Sequence, residues 1–337
     1  MWKFLIAWIV VLLFVANEAR AACEFRPTET APMTTAAVYQ MPVSVGKISV
    51  GPDMPIGKEI YRQTINIATN RVPFVVGCDT SPIKRFYKYT QLPLPASSVT
   101  MEGYSGTVYE TGLKGVGIAF WYNKRGFPTS TTICAVSACS GSTGEPALSD
   151  FSLVKIGPVE PGEINGSNLP SVEYSVGVSE ADSVTLVQIS FVGSMNLSVP
   201  TCQLEQANSV VWMGTQKISE FSGKGSAGQW KDASIRLVNC PFFYGNTAGS
   251  GTSATFNGEN VNSSSLVLNN TWNLTLTPSR GFIDSNTGII AINDDDDQSA
   301  SGVGIQLASA PLDSSVLNLS SAYSGGLPVD GSANVTI

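Results

Sequence analysis

The sequence predicts an all-β protein built from antiparallel sandwiches with Greek-key connections, and three observations support this fold class. Short runs of alternating polar and apolar residues recur along the chain, as over 43–50, 61–67 and 184–191. These runs are rich in β-branched and aromatic residues, and Gly, Pro, Asn and Ser separate them. No convincing amphipathic helix exceeds about three turns. The chain is therefore expected to form strands joined by turns.

The composition indicates a folded chain and excludes several classes of function. The 337 residues are 43% hydrophobic and 13% charged, which predicts about two domains at roughly 100–200 residues each. The formal net charge of −7 argues against a nucleic-acid partner. The chain has no histidine, so Ser-His-Asp catalysis, Cys-His catalysis and His-ligated zinc are excluded. We predict no enzymatic activity, no cofactor and no metal site.

The N-terminus has the pattern of a secretory signal peptide. A cationic start at Lys3 precedes an unbroken apolar run over residues 4–16, which is shorter than the roughly 20 residues that span a bilayer. Ala19-Arg20-Ala21 fits the small-x-small cleavage rule, so residues 1–21 are expected to be removed before Ala22. A retained anchor helix and a lipid-modified cysteine are the alternatives. We expect an exported protein.

Six cysteines follow the predicted signal peptide, and an even number in an oxidising compartment indicates disulfides. Six cysteines allow 15 pairings, among which the sequence alone does not choose. Proximity along the chain favours Cys23–Cys78, Cys134–Cys139 and Cys202–Cys240. No CxxC pair is present, which argues against zinc.

A domain boundary is predicted near residues 197–201, where a strand is followed by a proline and then a cysteine. The net charge is about −2 over residues 22–198 and about −6 over residues 199–337. The second part is also richer in Ser, Asn and Gly. These shifts predict two unlike β-domains, 22–198 and 199–337.

The second predicted domain resembles a pilin domain of the chaperone–usher family. The resemblance rests on the spacing from Cys202 to Cys240 and on the order of five motifs: Cys202-Gln203-Leu204, Val211-Trp212-Met213-Gly214, Ile235-Arg236-Leu237-Val238-Asn239-Cys240-Pro241, Gly302-Val303-Gly304-Ile305-Gln306-Leu307 and Asn334-Val335-Thr336-Ile337. The resemblance implies an incomplete immunoglobulin-like sandwich that lacks its final strand. Family members usually continue to a last strand with a near-terminal aromatic residue, so this domain is expected to be truncated at its end.

The first predicted domain is similar to the receptor-binding, lectin-like domain of two-domain tip adhesins of type 1-like fimbriae. The segments 109–118 and 153–159 look like strand motifs of such adhesins. The resemblance implies two immunoglobulin-like antiparallel sandwiches and location at the fimbrium tip on the bacterial surface. It also implies four partners: a periplasmic pilus chaperone, an outer-membrane usher, the donor strand of the next fimbrial subunit, and a host glycan or glycoprotein.

A tip position also follows from the N-terminal cysteine. In this family the N-terminal arm of each subunit completes the sheet of its neighbour by strand addition. Cys23 is the second residue of the expected mature chain, and a bond to Cys78 would leave no free arm. Such a subunit accepts a donor strand but donates none.

One group of candidate receptor-binding residues surrounds the second cysteine. In mannose-binding relatives the mature N-terminus and the loop after this cysteine form part of the pocket, which implicates Ala22 and Asp79. The family's Asn-Asp pair is absent here, so mannose is not predicted. The following segment adds the candidates Lys84, Arg85 and Tyr87. Carboxylates and an aromatic surface are what a sugar site requires.

A second group of candidates is Trp121, Tyr122, Asn123 and Lys124. Aromatic and cationic groups together suit sialylated, sulfated or other acidic ligands. The alternative is a solvated edge strand carrying protective charges, with the aromatic rings used for packing.

Two alternative functions stay open at the level of the sequence. A minor structural or capping subunit would need no receptor, but the first domain then has no assembly role. A β-sandwich glycoside hydrolase would need two carboxylates about 5–9.5 Å apart. Its candidates are Glu102, Glu110, Asp150 and Glu173, which no sequence motif pairs.

Overall fold

The computed structural model is all-β, as the sequence predicts. It describes residues 23–43, 47–52, 54–67, 71–144, 147–245, 254–263, 266–267, 271–293, 295, 299–327 and 335–336. The predicted signal peptide, Ala22 and the end of the chain at Ile337 lie outside these residues. In the described ranges, helical structure is limited to three 3-10 turns: Gly166–Asn168, Ile218–Glu220 and Asp313–Ser315. No helix there is long and apolar enough to cross a membrane.

The strands are short and numbered here in chain order. Up to residue 198 they are β1 (Cys23–Phe25), β2 (Ala37–Pro42), β3 (Lys47–Ser49), β4 (Glu59–Ile65), β5 (Pro73–Cys78), β6 (Ile83–Gln91), β7 (Tyr109–Glu110), β8 (Val116–Tyr122), β9 (Arg125–Gly126), β10 (Thr129–Cys134), β11 (Ala138–Ser142), β12 (Ser149–Lys155), β13 (Gly162–Asn165), β14 (Ser171–Gly177), β15 (Ser183–Val192) and β16 (Ser194–Ser198). Beyond it they are β17 (Gln203–Leu204), β18 (Arg236–Val238), β19 (Tyr244–Gly245), β20 (Ala254–Phe256), β21 (Val261–Ser263), β22 (Leu266–Val267), β23 (Thr271–Leu274), β24 (Phe282–Asp284), β25 (Ile289–Ala291), β26 (Gly304–Gln306), β27 (Tyr323–Gly326) and β28 (Val335–Thr336).

The chain forms two compact units. Unit 1 contains the residues up to Val199 together with Tyr244–Leu266, and unit 2 contains Pro200–Phe243 and Val267–Ile337. The chain first passes from unit 1 to unit 2 between Val199 and Pro200. The boundary predicted from the sequence, between residues 198 and 199, lies one residue away. The sequence places 244–266 in the second domain, whereas these residues cluster with unit 1.

Two sheets dominate unit 1. One has the strand order β10-β6-β14-β15-β2, and the other has the order β21-β20-β4-β12-β8-β7, with β9 paired to β8. Most neighbours are antiparallel, as predicted, but β15–β2, β16–β3 and β20–β4 are parallel. Parallel neighbours require long connections rather than hairpins. Turn residues in the sequence therefore could not predict these three pairings.

Aromatic rings from the two large sheets meet in the core of unit 1. Phe191 of β15 lies 5.8 Å from Phe120 of β8 and 5.2 Å from Phe151 of β12, measured between ring centroids. Tyr89 of β6 contacts Phe120 edge-on at 6.1 Å. Such ring pairs contribute about 0.5–1.5 kcal/mol each beyond their buried area. The alternating pattern of the sequence thus produces two apolar faces that close on each other.

A hairpin from the second half of the chain completes one of these sheets. Strand β20 pairs with β4 in parallel, with Thr255 opposite Thr64 and Phe256 opposite Ile65. Phe256 is fully buried and contacts the ring of Tyr39 edge-on at 6.3 Å. The hairpin therefore covers an edge of β4 that would otherwise be unpaired.

All three disulfides favoured by proximity along the chain are present. Cys23 of β1 lies directly opposite Cys78 of β5 in the antiparallel register. The Cα atoms are 4.0 Å apart for Cys23–Cys78 and 4.2 Å apart for Cys202–Cys240. Closing a loop of 55 or 38 residues in this way stabilises a domain by about 2–4 kcal/mol.

Unit 2 consists of small sheets with little interior. Its sheets have the strand orders β17-β18-β28, β23-β27 and β24-β25-β26. Among its described residues, the buried apolar ones are Cys240 and Leu319. Many large apolar side chains are exposed instead: Leu204, Val210, Trp212, Met213, Ile218, Phe242, Phe282, Ile283, Val303 and Leu312.

The position of the β20 hairpin leads to a stability prediction. We expect Phe256→Ala to lower the free energy of unfolding of unit 1 by about 3–5 kcal/mol, because a large ring is removed from a closed core. The control is Phe282→Ala, at a side chain of unit 2 that is 45% exposed. This variant should change the free energy of unfolding by about 0.5 kcal/mol or less. Chemical denaturation of residues 22–337 measures both. Equal effects of the two variants would contradict the docking of β20 on β4.

Candidate functional site

Three turns of unit 1 reach solvent at the same end of strand β6. We call them the loop-end surface: residues 79–82, 135–138 and 178–182. Strand β10 ends where Cys134 pairs with Ile83, and β14 ends where Gly177 pairs with Lys84. Strands β10, β6 and β14 are neighbours in one sheet, so the three turns at this end of them lie side by side on a rigid support.

Strand β1 brings the N-terminal end of the described chain to the same surface. Cys23 is bonded to Cys78, whose backbone N–H donates to the carbonyl of Ser137 over 2.8 Å. Asp79 follows at once and is exposed. Asp79 is therefore exposed next to the disulfide that holds β1 to β5. Ala22, the other residue implicated there, lies outside the described residues.

The loop-end surface is polar and acidic. Asp79 and Glu180 are exposed, and Lys84 and Asp182 are half-buried. Ser179 Oγ donates to Asp182 Oδ2 over 3.0 Å, which orders the turn that follows β14. This surface and the adjacent Lys84 together contain three carboxylates and one ammonium, which is an excess of negative charge. This balance favours a neutral, hydroxyl-rich ligand over an acidic one.

The predicted residues Arg85, Tyr87 and Tyr122 lie inside the sandwich rather than on its surface. Tyr87 is fully buried, and its ring stacks on that of Tyr122 with centroids 4.7 Å apart. Arg85 is half-buried, and its Nη1 donates to the Tyr87 hydroxyl over 3.4 Å. Burial raises the pKa of Tyr87 to about 12, against a lowering effect of Arg85. The Tyr87 ring therefore offers no face to a ligand from solvent.

Asn123 and Lys124 form the exposed tip of the β8–β9 hairpin. Their φ angles are +48° and +63°, the left-handed pair that a two-residue type I′ turn requires. Asn accepts this conformation readily, whereas Lys does so at a cost. The Lys124 carbonyl accepts a hydrogen bond from Ser105 over 3.3 Å. The turn thus contacts the segment before β7.

Trp121 belongs to a polar group on the solvent side of the β4-β12-β8 sheet, which we call the outer-face cluster. Its members are Glu59, Arg62, Thr64, Tyr104, Trp121, Asp150 and Ser152. Trp121 is only 6% exposed. Its ring is covered by the Arg62 guanidinium at 4.8 Å and by the Tyr104 ring at 4.6 Å, both measured to ring centroids. The Trp121 ring is therefore buried beneath Arg62 and Tyr104 and packs against both.

Hydrogen bonds join the cluster from three strands and one loop. Arg62 Nε and Nη2 contact the two carboxylate oxygens of Glu59 at 3.1 and 3.0 Å, and Nη2 also donates to the Tyr104 hydroxyl over 2.6 Å. Ser152 Oγ donates to Glu59 over 2.6 Å and accepts from Trp121 Nε1 over 2.9 Å. These contacts fix Glu59 and Arg62 in one geometry.

Asp150 is the titratable group of the cluster with the most capacity left to accept hydrogen bonds. Thr64 Oγ1 donates to its Oδ1 over 2.6 Å, and this is the hydrogen bond that the described residues give its carboxylate. Burial raises the pKa of Asp150, while Thr64 and Arg62 lower it and Glu59 raises it further. A carboxylate has about four acceptor sites, so Asp150 can accept further donors.

Sequence reasoning missed most of this cluster. The alternation of Arg62 and Thr64 along β4 placed both on one face, but nothing local identified β12 and β8 as the neighbours. Asp150 was considered as a hydrolase carboxylate. Two of the other three, Glu102 and Glu173, form ion pairs with lysines, Lys58 at 2.6 Å and Lys88 at 2.8 Å.

Comparison with known proteins found no protein-family model that matches the chain and no curated protein that matches it significantly. The function is therefore inferred from the fold and from the chemistry of the loop-end surface and the outer-face cluster.

The raised pKa of Asp150 predicts a pH-dependent effect of Asp150→Asn. Because the folded-state pKa lies above the unfolded one, the stability linked to Asp150 is present at low pH and is lost as the pH rises through the folded-state pKa. We expect the free energy of unfolding of the variant, relative to the original chain, to rise from about pH 3 to about pH 7. Denaturation curves across this range measure it.

Asp79→Asn makes the same chemical change at an exposed position and serves as the reference. A difference for Asp150→Asn that is constant with pH would show that Thr64 and Arg62 balance burial at this carboxyl, and one that falls as the pH rises would show that they outweigh it.

Proposed function

We propose that this chain is the tip adhesin of a type 1-like chaperone–usher fimbria and attaches a bacterium to a host or environmental surface. Unit 1 binds a glycan or glycoprotein receptor, and unit 2 anchors the chain to the fibre. In this proposal both are immunoglobulin-like sandwiches, and unit 2 is a pilin fold without its final strand. The protein is exported, is not an enzyme and has no nucleic-acid partner.

The contrast between the two units carries this proposal. Unit 1 buries an extensive core of two sheets, whereas the described part of unit 2 exposes many large apolar side chains, Trp212 at 84% among them. Large apolar side chains exposed in this number indicate that another chain covers them. Strand addition by the next subunit's N-terminal arm would cover them and would pair open sheet edges.

Strand β1 supports a position at the end of the fibre. Residues Cys23–Phe25 are paired with β5, and Cys23 is covalently bonded to Cys78. These residues are therefore held within unit 1 and do not serve as a donor strand. A periplasmic chaperone would cover unit 2 until the outer-membrane usher joins it to the next subunit.

A minor structural or capping subunit is the alternative, and the loop-end surface separates the two functions. A capping subunit needs the apolar surface of unit 2 but no ligand at Asp79 or Lys84. The presentation of these side chains on a rigid sheet end favours the adhesin.

The proposal is tested on residues 22–337, co-expressed in the periplasm with a type 1-like fimbrial chaperone. We expect the chaperone to raise the soluble yield and to co-purify, because it covers the apolar side chains of unit 2. We expect the purified chain to bind a glycan array, with binding weakened by Asp79→Ala or Asp150→Ala. Chaperone binding without any glycan binding would support the capping subunit, and loss of both would overturn the family assignment.

A further inference from the structure

We propose that the outer face of the β20-β4-β12-β8 strands is a lateral binding site for a neutral oligosaccharide, which lies across the strands next to the outer-face cluster. The inference rests on the proposed function, because it names a receptor glycan class and a second place for it on unit 1. It differs from that function in location, since the loop-end surface lies at the ends of strands and this site lies on a sheet face.

A row of side chains crosses this face in register. Asn262 of β21 lies opposite Thr255 of β20, Thr255 opposite Thr64 of β4, and Thr64 opposite Asp150 of β12. Directly opposed residues point to the same face of a sheet. Four polar side chains therefore form a line about 14 Å long, at about 4.8 Å per strand. The next position along the line, on β8, is Trp121.

The row is accessible and has hydrogen-bonding capacity. Asn262 is exposed, and Thr255, Thr64 and Asp150 are half-buried. The Asn262 amide, the Thr255 hydroxyl and the Asp150 carboxylate can donate to or accept from the hydroxyl groups of several sugar rings, while the Thr64 hydroxyl donates to Asp150 and holds that carboxylate in place. A ligand with one charged group would use Asp150 and leave the rest of the row without function. A chain of linked sugars uses the whole length.

The charges around Asp150 select a neutral ligand. Arg62 is engaged with Glu59 and Tyr104, so the cluster contains one cation and two carboxylates. Sialylated or sulfated sugars would bring further negative charge next to Asp150, which is unfavourable. The sequence favoured acidic ligands for Trp121 because Lys124 follows it nearby. In the structure the cation over Trp121 is Arg62, which already has a carboxylate partner.

Tyr104 supplies an apolar surface at the end of the row. Its ring is half-buried, packs on Trp121 and is held at its hydroxyl by Arg62. An aromatic ring in a fixed orientation beside carboxylate and hydroxyl groups is the usual arrangement for binding the apolar face of a pyranose. The hydrogen bonds of Glu59 and Arg62 thus position the ring without occupying Asp150.

The experiment measures binding of residues 22–337 to an array of neutral oligosaccharides and of their sialylated and sulfated counterparts. The neutral glycan bound most tightly is then titrated against Asp150→Ala, Asn262→Ala and Glu163→Ala. We expect the first two to weaken binding about tenfold, because each removes a hydrogen-bonding group from the row. Glu163, an exposed carboxylate on β13, is the matched control and should leave affinity unchanged. Thermal unfolding checks that each variant folds, and Asn262 is exposed enough to be replaced without harm to the core.

Three outcomes would overturn the inference. Neutral-glycan binding that survives Asp150→Ala and Asn262→Ala but is lost in Asp79→Ala places the receptor at the loop-end surface and leaves the proposed function standing. Exclusive binding of sialylated or sulfated glycans excludes the ligand class. The absence of any glycan binding overturns the lateral site and the lectin function together.

Discussion

The contact between the aromatic rings of its two large sheets is the constraint on which unit 1 depends. Phe120 and Phe151 on one sheet meet Phe191 on the other, and Tyr89 joins them from β6. Rings at these separations hold two sheets at a fixed distance and angle. The strand ends that carry the loop-end surface and the outer face that carries Asp150 are consequently presented on one rigid body. A binding site on such a support loses little entropy when a ligand arrives.

Local patterns predict some of the strands, such as β4 and β15, and distant contacts determine what those strands do. The alternation around Arg62 predicts β4, and the disulfides favoured by proximity along the chain are the three that the structure shows. The partner of β4 on its open edge comes from residues 254–256, which no turn signal connects to it. The left-handed conformation of Lys124 could not be predicted from its residue type either, because the tight turn between β8 and β9 imposes it. The role of Trp121 depends on Arg62, a residue from another strand.

Ion pairs occupy several of the cations of unit 1. Arg62, Lys88 and Lys114 are paired with Glu59, Glu173 and Glu160. The first two pairs are largely buried and hold their geometry, and the exposed pair contributes little to stability. An acidic ligand would have to displace a carboxylate to reach any of the three. Asp79, which is exposed, and Asp150, which is half-buried, can accept hydrogen bonds from hydroxyl donors.

The late position of the β20 hairpin in the chain governs the order in which unit 1 can fold. Ribosomes release the N-terminus first, so β4 emerges about 190 residues before the strand that pairs with its edge. Throughout that interval the edge of β4 stays open, and the place of Phe256 beside Tyr39 stays empty. Such an intermediate is prone to associate with other chains. Unit 1 is thus finished only after the first segment of unit 2, Pro200–Phe243, has been made, and any factor that shields the young chain must protect this segment together with unit 1.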